Sequence, residues 1–201
     1  WAVEDAGVDL YVVETMMSLQ ECRAAVLAIK ESSSRPIMVS LTFEETGRTL
    51  FGTDPATAVV VLQSLGVDVI GINCSTGPDK MAELVKAMYE VAYVPILVKP
   101  NAGLPKLIDG KTVYDMQPQE FADAMVNLAA CGARVFGGCC GTTPDHIRAM
   151  IAQCKDLLIK TPEKKVHTIV SSYGQAVMLG TGSRIIGERI NPTGKKKFKQ
   201  A

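Results

Sequence analysis

Two adjacent cysteines, Cys139 and Cys140, stand inside Gly137-Gly138-Cys139-Cys140-Gly141, directly after an apolar run, Ala133 to Phe136, that reads as a buried strand. Side chains of a regular strand alternate faces, so neighbouring thiols on one cannot aim at a common point. The flanking glycines admit backbone conformations closed to other residues, which lets both sulfurs turn to the same side. A third thiol, Cys74, has an equivalent place, because Val67 to Ile72 is a second apolar run and Asn73-Cys74-Ser75 follows it. Three thiols at the ends of two parallel strands make the ligand set of a catalytic zinc site, with three protein ligands and an open fourth position. The plainer alternative is three small buried apolar residues. A structural zinc module, closed by Cys131 or a histidine as fourth ligand, is a third reading.

The elements that must position these thiols follow from the apolar pattern. Strands are expected at Val8 to Val13, Pro36 to Phe43, Val67 to Ile72, Val94 to Val98 and Ala133 to Phe136. Helices are expected at Leu19 to Lys30, from Pro55 to Leu65 behind an Asp54 cap, Pro78 to Tyr89, Pro118 to Ala130, and from Thr143-Pro144-Asp145 to about Leu158. Regular alternation of apolar strands with helices implies an α/β fold with a parallel sheet. Glu14, Cys74, Asn101, Cys139 and Cys140 all fall at the ends of strands, positions that gather on one face of a (β/α)8 TIM barrel. A doubly wound sheet would spread the same ends along a line. The expectation is therefore the C-terminal five βα units of a barrel, over residues 1–160. Residues 161–182 read as a linker. From Ser183 another strand with a charged, glycine-bearing end begins, the first strand region of a second barrel over 183–201. Lys195, Lys196, Lys197 and Lys199 read as a solvated run, with a phosphate site as the alternative.

The 21 basic and 21 acidic residues balance. That excludes the basic excess expected of a protein that binds nucleic acid or an anionic membrane surface. No uninterrupted apolar run approaches the ~20 residues of a membrane span. The start, Trp1-Ala2-Val3-Glu4, lacks the features of a signal peptide, and without an initiating Met a fragment is expected. The six cysteines lack the short regular spacing of a disulfide framework, so a reducing cytoplasm is expected. Cys22, Cys131 and Cys154 fall on helices and read as packing residues. His146 reads as a surface residue in the first turn of a helix, and His167 lies outside the strand ends.

Glu14-Thr15, Gly71-Ile72-Asn73-Cys74, Val98-Lys99-Pro100-Asn101-Ala102-Gly103 and Gly137-Gly138-Cys139-Cys140-Gly141 resemble the homocysteine S-methyltransferase family. Ile186-Gly187-Glu188-Arg189-Ile190-Asn191-Pro192-Thr193-Gly194 resembles the opening strand of a pterin-binding barrel. That order, homocysteine barrel then folate barrel, is similar to that of cobalamin-dependent methionine synthases. The resemblance implies zinc on Cys74, Cys139 and Cys140, with homocysteine as the thiol that accepts a methyl group to form methionine. It also implies cobalamin and methyltetrahydrofolate, on domains elsewhere in a parent protein. Relatives that take the methyl group from betaine or S-methylmethionine are the alternative. Glu14 is the candidate partner of the homocysteine ammonium, its other reading being a carboxylate that serves the next helix. Asn73 and Asn101 either bond the substrate or stabilise their loops. Glu188 and Asn191 match positions near the pterin.

Overall fold

Parallel strands need a long crossover between them, and a helix is the usual crossover. The chain alternates accordingly. The structure, a computed structural model, describes residues 2–74, 77–157, 162–163, 168–180, 182–183, 185 and 187. In chain order the elements are α1 (Ala2–Asp5), β1 (Tyr11–Met16), α2 (Leu19–Ser32), β2 (Ile37–Leu41), α3 (Pro55–Ser64), β3 (Val69–Cys74), α4 (Pro78–Val91), β4 (Ile96–Pro100), β5 (Lys106–Ile108), β6 (Lys111–Val113), α5 (Pro118–Cys131), β7 (Ala133–Phe136), α6 (Pro144–Cys154), β8 (Thr168–Ser171) and β9 (Ala176–Leu179). Local chemistry starts the helices where they start. The Ser18 hydroxyl accepts from the Glu21 N–H at 3.4 Å ahead of α2, and Asp54 Oδ1 accepts from the Thr57 N–H at 2.8 Å ahead of α3, with Pro55 as the first helical residue.

β1, β2, β3, β4 and β7 form one parallel sheet in that order. The order follows the sequence without a reversal, and right-handed crossovers then put the helices on one face. On that face Ile37, Val39 and Leu41 of β2, Ile70 and Ile72 of β3, and Ile96 and Val98 of β4 join the core with Val26, Leu62, Met88 and Phe121 from the helices. Each aliphatic or aromatic side chain so buried contributes about 1.5–3 kcal/mol, which ties sheet to helices. The opposite face carries Ser40, Asn73, Leu97 and Lys99, which alternate with those residues along the strands. It is concave. In a flat sheet β1 and β3 would stand about 10 Å apart and β1 and β4 about 14 Å. Yet the Thr15 N–H of β1 donates to Asn73 Oδ1 of β3 at 3.0 Å, and Lys99 of β4 forms an ion pair with Glu14 of β1.

The apolar runs locate these elements but misplace some ends. β1 lies at Tyr11–Met16 rather than Val8 to Val13, and β3 extends to Cys74, so Glu14, Asn73 and Cys74 lie within strands. Backbone pairing carries the strands on: Met16 pairs with Leu41, and Cys74 with Pro100. Two antiparallel hairpins were not expected. β5 pairs with β6 through Asp109-Gly110, both with positive φ (50° and 73°), the geometry a two-residue type I′ turn requires. β8 pairs with β9 within the stretch read as a linker. That second hairpin is held by Thr53, whose hydroxyl donates to the Tyr173 carbonyl at 2.7 Å, and by Arg48, which donates to the Gly174 carbonyl at 3.1 Å. Among the described residues no helix is long and apolar enough to cross a membrane.

Gly71 shows how closely β3 and β4 approach on the concave face, since a Cβ there would stand 2.0 Å from the Leu97 carbonyl oxygen. Gly71→Ala is expected to part the two strands and lower stability by about 3 kcal/mol, the upper end for overpacking. Denaturant unfolding of the variant beside the parent protein measures it.

Candidate metal centre

The end of β3 and the loop after β7 meet because the β4–β7 ladder continues past both strands. The Gly137 N–H donates to the Val98 carbonyl at 3.0 Å and the Cys139 N–H to the Pro100 carbonyl at 2.9 Å. The Cys140 N–H then donates to Asn101 Oδ1 at 3.0 Å, and the Ala102 N–H returns to the Cys140 carbonyl at 2.9 Å. Asn101 is thus a buried clamp on the cysteine loop. The chain turns away at Gly141 with φ +79°, where a Cβ would stand 2.4 Å from Tyr114. Only glycine supplies that conformation and that space together.

The three sulfurs converge. Cys139 Sγ lies 3.3 Å from Cys74 Sγ, Cys74 Sγ 3.8 Å from Cys140 Sγ, and the neighbouring pair 4.0 Å apart. Tetrahedral zinc with Zn–S bonds of about 2.3 Å has S···S edges of about 3.8 Å, so the donor set fits the ion in both type and spacing. Among the described residues no fourth cysteine, histidine or carboxylate joins the group. Cys74 achieves its aim at a conformational cost, with φ at 61°, a region that non-glycine residues seldom occupy and that concentrates at functional sites.

Asn73 holds the arrangement together. Its side chain is fully buried. Oδ1 accepts from the Ser40 hydroxyl at 2.7 Å and from the Thr15 N–H at 3.0 Å. Nδ2 donates to Thr15 Oγ1 at 2.8 Å and points to Cys139 Sγ at 3.8 Å. Thr15 has φ at 61°, an outlier for a β-branched residue, and the two bonds from Asn73 fix it there. Electrostatics separate the thiols. Burial, then the neighbouring thiols, push the Cys74 pKa up to about 12. For Cys139 burial acts upward but is outweighed by hydrogen bonds with the Cys74 thiol and the Asn73 amide, which hold its pKa below the ordinary thiol value. Burial and a hydrogen bond with Cys140 raise the Tyr114 hydroxyl.

Other candidates sort out by position. Glu14 sits on the concave face, half-exposed and paired with Lys99, and the N-cap of α2 is Ser18. Cys22 and Cys154 are buried against the helices, and Cys131 ends α5, so none joins the cluster. His146 corrects an expectation: it is buried, not a surface residue. Its Nδ1 accepts from the Thr143 N–H at 3.2 Å, while Nε2 donates to the Met116 carbonyl at 2.9 Å. Met116, in the loop before α5, and the Phe121 ring of α5, 5.6 Å from the imidazole, cover it, tertiary contacts without local signal. Glu188, Asn191, His167 and the lysine run lie outside the described residues. Lys99, Thr15, Ser40 and Tyr114 were not singled out. Ser40 and Lys99 each interrupt an otherwise apolar strand, and that was the available signal.

A family model for homocysteine S-methyltransferase matches residues 2–154. The chain is 39% identical over 210 residues to a methionine synthase of Mycobacterium leprae and 39% identical over 207 residues to one of Mycobacterium tuberculosis. Each alignment covers 98% of this chain and 17% of the relative, so the chain spans about a sixth of the length of these proteins. Among solved structures it is similar to the homocysteine methyltransferase MmuM from Escherichia coli. The apo form superposes with a TM-score of 0.62 at 27% identity over 76% of this chain and 52% of that one. The metallated form gives 0.63 at 27% identity over 76% and 47%. On these grounds, and on the cysteine geometry they accompany, the chain belongs to the homocysteine S-methyltransferase family.

Proposed function

We propose that Cys74, Cys139 and Cys140 hold zinc, and that the chain is the part of a methionine synthase where homocysteine accepts a methyl group to become methionine. The observation that carries this is the convergence of three sulfurs, 3.3–4.0 Å apart, from two strand ends. Family membership and the methionine synthase relatives supply the substrate. Zinc held there would supply a Lewis acid that lowers the pKa of an incoming thiol, near ~8.5 and largely protonated at neutral pH when free, so that its proton passes to solvent. The chain's own residues set the rest. Three thiolate ligands carry net negative charge and keep the substrate sulfur electron-rich. Asn73 and Asn101 lock the two loops that carry the ligands. Glu14 offers its carboxylate to the homocysteine ammonium.

On other domains of the longer protein, cobalamin and methyltetrahydrofolate would supply the methyl group, and a reducing cytoplasm would keep the thiols free. In this reading residues 1–160 are the last five units of a (β/α)8 barrel, 161–182 the connection, and 183–201 the start of a pterin-binding barrel with Glu188 and Asn191 near the pterin. The unreversed strand order and the concave sheet support the barrel. Betaine and S-methylmethionine donors are disfavoured because the methionine synthase relatives align over 98% of the chain, tail included. A closed structural site is disfavoured because no fourth ligand stands with the three cysteines among the described residues.

Alanine at Cys74, Cys139 or Cys140 is expected to remove most of the zinc affinity, whereas alanine at Cys22, Cys131 or Cys154 leaves it. Zinc content of the purified variants by atomic emission decides it, and full retention in a Cys139→Ala, Cys140→Ala double variant would sink the site. Glu14→Gln in the full-length enzyme is expected to weaken homocysteine binding about tenfold to hundredfold, the worth of a charge-assisted hydrogen bond. Its zinc stays in place, as titration calorimetry on the metal-loaded variant would reveal. A sheet that ends at β1 and β7 leaves two open edges, which barrel closure removes. Co-expression with a segment that supplies the first three units is therefore expected to raise the soluble yield of residues 1–160, and an unchanged yield counts against the barrel.

A further inference from the structure

Lys99 is the basic residue in β4, Ile96–Pro100, and it faces the concave side of the sheet. Its stem lies against Gly137, where a Cβ would stand 3.0 Å from Lys99 Cγ. Its ammonium crosses the face to pair with Glu14 on β1, three strands away. The pair lies beside the thiols. Lys99 is the register partner of Asn73, whose amide reaches Cys139 Sγ at 3.8 Å. Glu14 adjoins Thr15, which that same amide clamps. The Lys99 side chain is 18% exposed and that of Glu14 52%. A pair so open to solvent contributes little to stability, so its place beside the cluster needs another account.

The charges supply one. Homocysteine is a zwitterion whose sulfur is separated from the doubly charged α-carbon by two methylenes. If its ammonium displaced Lys99 from Glu14 and nothing else changed, Lys99 and the substrate carboxylate would both be left unpaired. If Lys99 turned to the carboxylate, all four charges would be paired. We propose that Glu14 and Lys99 form a receptor for an amino-acid zwitterion. In the free protein the two side chains satisfy each other, and on binding they exchange partners, Glu14 taking the α-ammonium and Lys99 the α-carboxylate. Lys99 is thereby a specificity residue: it selects thiols that carry an α-amino acid head group over plain thiols. This rests on the proposed zinc and homocysteine reading.

The test uses the zinc-loaded full-length enzyme and three thiol probes measured by calorimetry: L-homocysteine, 3-mercaptopropylamine, which lacks the carboxylate, and 4-mercaptobutanoate, which lacks the ammonium. In the wild type, loss of the carboxylate is expected to weaken binding about tenfold to hundredfold. In Lys99→Met, which keeps the stem packed on Gly137, homocysteine binds weakly and loss of the carboxylate costs nothing more. Lys99→Arg keeps the charge and restores part of the preference. Glu14→Gln erases the ammonium preference instead. Zinc content stays at the wild-type level in all three variants. An undiminished carboxylate preference in Lys99→Met, with zinc and thiol binding intact, overturns the assignment of Lys99 alone. Failure of the wild type to bind zinc or any thiol overturns the zinc reading, and this inference with it.

Discussion

One buried amide couples the two halves of the site. Asn73 occupies the penultimate position of β3, where its backbone still pairs with β4 and its side chain turns to the concave face. A side-chain amide taken out of water costs several kcal/mol unless its hydrogen bonds are replaced, and here both ends of the group are satisfied: Ser40 and Thr15 on the oxygen, Thr15 Oγ1 on the nitrogen. Those partners lie on β2 and β1, so the amide can be satisfied only if the sheet curves enough to bring β1 over β3. The same bonds hold Thr15 in a conformation it would not choose, which sets where Glu14 points. Asn73 also immediately precedes Cys74, so the curvature of the sheet and the aim of the first thiol are fixed by adjacent residues.

The cysteine loop is positioned by a different device. It adds no hydrophobic anchor of its own and instead continues the β4 ladder through backbone bonds and the Asn101 side chain. Two thiols adjacent in sequence can then stand on one side because the ladder stops at Gly141, where Tyr114 packs against the bare Cα. The result is a frame with a polar rim. The Glu14–Lys99 pair occupies that rim.

Much of this was legible in the amino-acid order, for identifiable reasons. Apolar runs bounded by Pro, Gly and Asp located every strand of the main sheet, since strands covered by helices must be apolar and caps have strong chemistry, as at Asp54. The thiols stood out because Cys139-Cys140 among glycines makes little sense as core. Strand ends were less legible: hydrophobicity reports burial, whereas Met16 and Asn73 belong to their strands through pairing. The β5–β6 hairpin carried a readable signal in Asp109-Gly110, with flanking strands too short and exposed to attract notice. The burial of His146 and the Lys99–Glu14 contact depend on residues 30 and 85 positions apart; no local pattern encodes such distances.

The central claim is an ion held by three cysteine sulfurs with a fourth position that the substrate sulfur fills. Zinc K-edge X-ray absorption on the metal-loaded protein, with and without homocysteine, tests it most directly. The account predicts three sulfurs at about 2.3 Å and one lighter atom before the addition, and four sulfurs after it. Four protein ligands that do not change when homocysteine is added would contradict it.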